Sequence, residues 1–372
     1  EKQMKFNLTT LDQDERAIYI TGNFNGWNPK DPRYILTSNT ENQFSIEIDD
    51  DFVPNLIEYK ITKGGWENVE IDQNGNITPN RKVEKSKQKT NDTISNWRLN
   101  WGPFKPEFNP IVEVIDEDFY IPQLDRYRKV WALLPHDYYK SEKKYPVLYL
   151  QDAQNLFNEG SPYGNWEIDK KLSLLSEYGR GDVIVIAVDH GKESRINEYI
   201  FDNDNVSKGS EGKKYIRFIT DTLKPFVDQK YRTKKEREYT GIGGSSLGGL
   251  VSIYSGFLYP EVYSKLMIFS PSLWVEPNNN FPMLRFQKPY KTKVYLYGGD
   301  LEGSNMVDRI ETFENSLRQW EDLQLFDFDI KTSINSEGTH NEFYWSQEFP
   351  RAVEWLFYDN TENPIEVTPV QN

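Results

Sequence analysis

The sequence predicts two domains: an all-β sandwich over residues 1–100, then a mostly parallel sheet with helices on both faces over residues 113–360. A chain of 372 residues is comfortable for two domains. Short alternating segments fill its first hundred residues, whereas apolar strands alternate with helical spacing after Ile111. Residues 101–112, which contain three prolines, are predicted as a linker, and residues 361–372 as a loose tail.

The first domain is predicted from strands separated by turn residues, without a convincing helical period. Gly26–Pro29, Lys63–Gly65 and Asn74–Asn76 have the composition of turns, and the charged stretch Arg81–Asn91 is typical of a loop or an edge strand. We expect an antiparallel, immunoglobulin-like sandwich. Its predicted strands are Ala17–Thr21, Phe44–Ile48, Ile57–Thr62 and Val69–Ile71.

The second domain alternates strands and helices, which favours a parallel sheet covered on both faces. Its predicted strands are Lys129–Leu134, Pro146–Leu150, Asp182–Val188, Glu238–Ile242, Lys265–Phe269, Val294–Tyr297 and Phe326–Ile334. Its predicted helices are Ile168–Leu175, Tyr215–Val227, Gly249–Ser255, Arg309–Leu323 and Ala352–Phe357.

Composition excludes several function classes. The chain has 58 acidic and 44 basic residues, a net charge of −14 that repels phosphate backbones, so nucleic acid is not an expected partner. No apolar run is long enough for a membrane helix. Without cysteine, and with only three scattered histidines, neither a metal site nor a cofactor is expected. We expect an exported protein whose signal segment is absent from this sequence.

The strongest chemical signal is Gly244–Ser245–Ser246–Leu247–Gly248. A serine nucleophile needs a tight strand-to-helix turn, and small residues two positions before and after it allow that turn to close. Ser246 satisfies this spacing, whereas Ser245 has no glycine two residues later. The backbone N–H of Leu247 is then predicted to form half of an oxyanion hole, and the loop Tyr149–Phe157 to supply a second N–H.

The general base follows from chain order, because a triad on this scaffold runs serine, acid, histidine. His340 alone comes after Ser246; His136 and His190 precede it and are expected in loops or at a rim. Asp300 and Glu302 both follow the strand Val294–Tyr297, and either carboxylate can orient the base. The other is expected to cap the next helix or to face water.

Residues from about 125 to 358 resemble the esterase D-like family of α/β-hydrolases, which includes feruloyl, acetyl-xylan and siderophore esterases. The resemblance rests on Leu148–Phe157, Trp166–Asp169, Ser270–Trp274, Gly299–Glu302 and Gly338–Trp345. It implies Gln154 as the second oxyanion N–H and Glu302 as the acid. Ala153 replaces the glycine usual in the family.

The first domain resembles family 20 and family 48 carbohydrate-binding modules, which bind starch and glycogen. Thr21–Pro29, Glu58–Lys60, Trp66–Glu67 and Pro79–Arg81 carry that resemblance. It implies that Trp27 and Trp66 stack on glucose rings, a role that suits aromatic faces. The alternative is that Trp27 is a hydrophobic plug and the module a packing partner.

Together these features predict a serine esterase acting on a small-molecule or oligosaccharide ester, acetylated or feruloylated, with Trp166, Trp274 and Trp345 lining the pocket or lying in the core. One alternative is a siderophore trilactone esterase, for which Arg195 is a candidate contact to an anionic substrate. Another is a carbohydrate-binding protein whose second domain does not catalyse.

Overall fold

The computed structural model describes residues 2–11, 16–72, 78–98, 105–158, 165–177, 179–203, 208–282, 289–324, 326–336 and 338–358. The described chain divides into two compact units: the first runs to Lys105 and also takes Glu177 and Gly179, and the second comprises Pro106–Ser176 and the residues from Arg180 onward. Each unit has its own hydrophobic core. No helix among these residues has the length and apolar character that a membrane crossing requires.

The N-terminal unit is built of short strands, as predicted. Three sheets order them β3-β4-β1-β8, β2-β5-β7 and β6-β9. Alternating residues of the strands point into the core, among them Met4, Phe6 and Leu8 of the first strand. The strands are β1 (Gln3–Thr10), β2 (Tyr19–Gly22), β3 (Thr37–Thr40), β4 (Gln43–Asp49), β5 (Leu56–Thr62), β6 (Glu70–Ile71), β7 (Arg81–Glu84), β8 (Lys89–Ile94) and β9 (Asn96–Trp97).

The pairing in this unit departs from the expected antiparallel pattern at one place. β1 pairs with β8 in parallel, and the long chain between the two strands provides the crossover that a parallel pair needs. The charged stretch Arg81–Asn91 forms β7 and the start of β8, both at sheet edges, which agrees with the edge-strand reading of that stretch.

The C-terminal unit contains one eight-stranded sheet in the order β10-β11-β13-β12-β14-β15-β16-β17. β10 and β11 pair antiparallel with their neighbours, and every pairing from β13 to β17 is parallel, so the predicted α/β-hydrolase class is confirmed. The strands are β10 (Ile111–Ile121), β11 (Arg126–Leu134), β12 (Val147–Gln151), β13 (Ile184–Val188), β14 (Thr240–Ser245), β15 (Lys265–Phe269), β16 (Tyr290–Gly299) and β17 (Phe326–Asn335).

Helices flank this sheet and cover a core of buried aliphatic and aromatic side chains. The helix predicted over Tyr215–Val227 is continuous through a π-helical segment, Phe218–Leu223, between α3 and α4. The helices are α1 (Ile168–Glu177), α2 (Arg195–Tyr199), α3 (Gly212–Arg217), α4 (Lys224–Lys230), α5 (Leu247–Leu258), α6 (Met306–Asp322) and α7 (Glu342–Phe357).

Several bounds differ from the sequence expectations, two of them by enough to change the interpretation. β10 begins at Ile111, inside the segment predicted as linker, and α7 begins ten residues earlier than the predicted Ala352. The early start of α7 reflects Asn341, whose side chain accepts a hydrogen bond from the N–H of Phe343 and caps the helix. Residues 101–104 of the predicted linker and the whole predicted tail lie outside the described residues.

Candidate active site

Ser246 lies on a strained turn between β14 and α5. Its backbone has φ 57° and ψ −122°, a conformation that is uncommon for a residue with a side chain. A Cβ atom added to Gly244 would come within 2.7 Å of the carbonyl carbon of Gly248, so Gly244 has no room for a larger residue, and a Cβ atom on Gly248 would be tightly packed, 3.1 Å from Asp152 Oδ2. The two glycines therefore permit the turn that presents the Ser246 hydroxyl at the carboxyl end of the sheet.

The end of β15 holds Ser246 in place. The N–H of Ser246 donates to the carbonyl of Phe269 over 3.0 Å, and its own carbonyl accepts from the N–H of Ser272 over 3.1 Å. The two hydroxyls, Ser246 Oγ and Ser272 Oγ, lie 3.3 Å apart. Among the described residues, the Ser246 hydroxyl has its hydrogen bond to Ser272 and none to the imidazole of His340.

His340 meets the carboxylate of Glu302. The Nδ1 atom of the imidazole lies 2.5 Å from Glu302 Oε1, and the Glu302 side chain is 1% exposed while that of His340 is 39% exposed. Asp300, the other candidate acid, is exposed, and its backbone N–H donates to the carbonyl of Asn335. The structure thus brings together His340 and Glu302, and not Asp300.

A buried network fixes the Glu302 carboxylate. Its Oε2 atom accepts hydrogen bonds from the Ser270 hydroxyl over 2.7 Å and from the N–H of Gly299 over 2.5 Å. The Ser270 hydroxyl in turn accepts from Trp345 Nε1 over 2.9 Å. The Trp345 ring also packs edge-on against His340, with centroids 5.0 Å apart. Trp345 therefore supports both members of the His340–Glu302 pair.

Ser270 and Ser272 connect the two halves of the site. Both follow the carboxyl end of β15; Ser272 contacts Ser246, and Ser270 contacts Glu302. Ser270 has φ 43°, so the turn after β15 contains a strained residue, as the turn after β14 does. Sequence reasoning identified this segment only as part of a family motif and gave neither serine a role. The contacts of Ser270 and Ser272 could not be predicted from one sequence, because they depend on how the chain turns after β15.

The loop after β12 approaches the Ser246 turn. Asp152 adopts the left-handed conformation, with φ 60°, and starts a short 3₁₀ helix, Ala153–Asn155. A Cβ atom on Gly248 would lie 3.1 Å from Asp152 Oδ2, so the loop and the turn are in close contact. At the start of α5, the N–H of Leu247 has no acceptor within the helix.

Side-chain contacts lock this loop. The Gln154 amide exchanges two hydrogen bonds with the backbone of His190, of 2.8 and 3.2 Å. Asp152 accepts two hydrogen bonds of 2.8 Å from the guanidinium of Arg195, and a third from the hydroxyl of Tyr199. Because Asp152 neutralises Arg195, the structure offers no unpaired charge at Arg195 for an anionic substrate.

A further carboxyl, that of Glu342, lies beside His340 at the start of α7. Its side chain is buried, and burial raises the pKa of this carboxyl. Burial lowers the pKa of His190, so this imidazole favours the neutral form.

The three tryptophans predicted near the substrate occupy different environments. Trp166 is 1% exposed and stacks on Phe269 with ring centroids 5.1 Å apart, so its ring belongs to the core. Trp345 is also buried, whereas Trp274 is 52% exposed in the turn after β15. Trp274 is thus the member of this set whose ring is open to a ligand.

In the N-terminal unit, Trp27 and Trp66 form an aromatic pair. Both side chains are half-buried, their ring centroids lie 6.4 Å apart, and their planes are tilted by 38°. Trp27 has φ 59° and follows Gly26 in a turn, which the Thr62 hydroxyl anchors by donating to the carbonyl of Pro29. The two rings predicted to contact sugar are therefore brought together.

Comparisons with known proteins agree with this fold. A family model described as "Putative esterase" matches residues 121–356. The chain is 24% identical over 246 residues to "Uncharacterized protein YbbA" of Bacillus subtilis (strain 168), a match that covers 63% of this chain and 94% of that protein. A solved structure described as "ferulic acid esterase" has a TM-score of 0.50 and 18% identity, and the match covers 67% of this chain and 98% of that one.

The N-terminal region is similar to part of an alpha-amylase of Niallia circulans. The identity is 33% over 85 residues, which are 22% of this chain and 6% of that enzyme. This local similarity agrees with the resemblance of the first domain to starch-binding modules.

Proposed function

The chain belongs to the esterase family matched over residues 121–356, and from that premise we propose that it is a serine carboxylic-ester hydrolase with Ser246, His340 and Glu302 as its triad. The observation that carries this proposal is the 2.5 Å contact between His340 Nδ1 and Glu302 Oε1. The turn that follows β15 connects this pair to Ser246 on its strained turn.

The mechanism assigns one proton path. Glu302 accepts a hydrogen bond from the Nδ1–H of His340 and so holds the tautomer in which Nε2 is the basic atom. Nε2 takes the proton of the Ser246 hydroxyl as Oγ attacks the acyl carbon, and it returns that proton to the leaving alkoxide. Water then repeats the sequence on the acyl-serine, releasing the acid and restoring Ser246.

Two backbone donors stabilise the tetrahedral intermediates. We assign these donors to the N–H groups of Gln154 and Leu247, and in this assignment both donate to the oxygen that becomes negative. The bonds between Gln154 and His190 and between Asp152 and Arg195 support this assignment, because they fix the loop before substrate arrives. In this mechanism the Ser246 hydroxyl exchanges Ser272 for His340 as its partner when substrate binds, a stage at which catalytic hydrogen bonds commonly tighten.

For the substrate we propose an acetyl or feruloyl ester of a carbohydrate or another plant-derived molecule. An exposed Trp274 suits an aromatic acyl group or a sugar ring. The fold similarity to a protein described as a ferulic acid esterase and the amylase-like N-terminal region point the same way. An esterified polysaccharide would also suit an exported protein, as the sequence leads us to expect. A trilactone substrate is less favoured, because Arg195 is already paired with Asp152.

A second function, glucan binding, is favoured by the Trp27–Trp66 pair. Two adjacent, half-buried rings present apolar faces of the kind that stack on the C–H face of glucose. We propose that the N-terminal unit binds an α-glucan and brings the esterase to ester groups attached to that glucan or to neighbouring polysaccharide.

The esterase proposal is tested by comparing Ser246→Ala with Ser245→Ala on p-nitrophenyl acetate, methyl ferulate and acetylated xylan. We expect Ser246→Ala to lower kcat by about 10⁶-fold with an unchanged fold, as for other triad nucleophiles. Ser245 is the last residue of β14 and serves as the matched control, with a much smaller loss. Activity within tenfold of wild type in Ser246→Ala would refute the assignment.

A further inference from the structure

A cleft opens at the amino-terminal end of the parallel strands, opposite the end of the sheet that carries Ser246. It has a volume of about 760 Å³ and lies where β12, β14, β15 and β16 begin, beside the last turn of α7. Its apolar walls include Pro146, Tyr239, Leu356 and Phe357. A cleft of this size matches a small-molecule site.

The cleft carries charge opposite to that of the whole chain. Its lining includes only two acidic residues, Asp182 and Glu238, in a protein with a net charge of −14. Its basic residues are Lys143, Lys144, Lys234, Arg237, Lys265, Lys291 and Lys293. This local excess of positive charge attracts an anion.

Two of these cations are held in the cleft without an acidic partner. Among the described residues, no carboxylate lies within 4 Å of Lys265 or Arg237; Arg237 donates instead to backbone carbonyls, including that of Pro260. Lys265 Nζ lies 5.8 Å from the ring centroid of Phe357. Burial, with Lys293 and Arg237 nearby, lowers the pKa of Lys265 to about 8. The protonated form of Lys265 is therefore disfavoured by its surroundings, and a bound anion would stabilise that form.

Ser264 adds an unused hydrogen-bond donor to the same cleft. Its residue is 4% exposed, it precedes Lys265 directly, and its Oγ atom has no hydrogen-bond partner. A buried hydroxyl without a partner destabilises the fold, which makes an unsatisfied one uncommon. An anion oxygen in the cleft would accept a hydrogen bond from this hydroxyl.

We infer that this cleft binds a small molecule with a phosphate group attached to an apolar or aromatic moiety. The phosphate oxygens accept hydrogen bonds from Lys265 Nζ and from the Ser264 hydroxyl, since a phosphate offers several acceptors and a lysine ammonium binds it as a point charge. The apolar moiety packs against Tyr239, Leu356 and Phe357. The site is separate from the proposed catalytic residues and does not depend on their assignment.

The test is isothermal titration calorimetry of the full chain with phenylphosphonate and with inorganic phosphate. We expect both to bind, phenylphosphonate about tenfold more tightly because of its ring, and both more weakly at high salt. Lys265→Met should weaken phenylphosphonate at least tenfold, and Ser264→Ala should weaken it severalfold, while esterase activity is unchanged. Lys214→Met, an exposed lysine on α3 that does not line the cleft, is the matched control and should leave binding unchanged.

Three results would overturn the inference. The first is no detectable heat with either probe at millimolar concentration. The second is equal weakening by Lys265→Met and Lys214→Met, which would indicate diffuse attraction to surface charge. The third is unchanged binding in Ser264→Ala together with raised thermal stability, which would mean that the hydroxyl is a defect of packing and not a ligand contact.

Discussion

Replacing Glu302 by glutamine tests the acid of the proposed triad with little change in shape. Oε2 of Glu302 accepts from the Ser270 hydroxyl and the N–H of Gly299, so the carbonyl of a glutamine must face this side. Its NH₂ group then faces Nδ1 of His340. Nδ1 becomes an acceptor, the proton moves to Nε2, and the imidazole can no longer take the proton of Ser246.

The magnitude follows from losing both the tautomer and the compensating charge. Loss of the acid in an analogous triad lowers kcat by about 10⁴-fold, equivalent to about 5.5 kcal/mol in the activation barrier. KM should change little, because the Glu302 side chain is 1% exposed and cannot reach substrate. The loss should therefore be confined to kcat.

Steady-state kinetics on p-nitrophenyl acetate, with circular dichroism to verify folding, measures this effect. Asp300→Asn is the matched control, because Asp300 is an exposed carboxylate two residues away in the same loop. A kcat for Glu302→Gln within tenfold of wild type, or an equal loss in Asp300→Asn, would refute the reasoning.

Three further predictions concern neighbouring features. Ser270→Ala removes the acceptor of Trp345 Nε1 and a donor to Glu302, so kcat should fall about 10- to 100-fold at constant KM in steady-state assays. Burial lowers the pKa of Lys265 from 10.5 to about 8, so at pH 7 the charged lysine destabilises the folded protein, and Lys265→Met should raise the free energy of unfolding in urea by roughly 3 kcal/mol. This stabilisation should decrease between pH 8 and 10.5, because the folded wild-type lysine loses its proton over that range. A difference in unfolding free energy that stays constant with pH would contradict the prediction. Trp27→Ala and Trp66→Ala should each weaken retention on amylopectin about tenfold in affinity electrophoresis, whereas retention unaffected by either would favour a packing role.

The sequence predicted the parts of the fold that depend on local pattern. The segment Lys265–Phe269 has the same bounds in the structure as in the prediction, because its four consecutive apolar residues are too few for a helix and suit a buried strand. The first strand, Gln3–Thr10, was not assigned, and the parallel pairing of β1 with β8 was not foreseen. Strand pairing over such a separation depends on tertiary contacts that local periodicity does not encode.

The candidate site divides in the same way. Ser246 followed from glycine spacing and His340 from chain order, both of which are local or ordinal features. The choice between Asp300 and Glu302 could not be made from spacing, since it depends on how the loop after β16 folds back on Ser270. The burial of Trp166 also needed the structure, because a tryptophan in a motif suits a pocket wall and a core equally well.

The central claim is that Ser246 is the nucleophile and that the His340–Glu302 pair activates it. Labelling with a p-nitrophenyl alkylphosphonate, followed by peptide mapping by mass spectrometry, tests it most directly, because the serine that attacks phosphorus retains the adduct. We predict one adduct per chain, located on Ser246, absent from Ser246→Ala and formed far more slowly in Glu302→Gln. An adduct on Ser245 or Ser272, or an unchanged labelling rate in Glu302→Gln, would contradict this account.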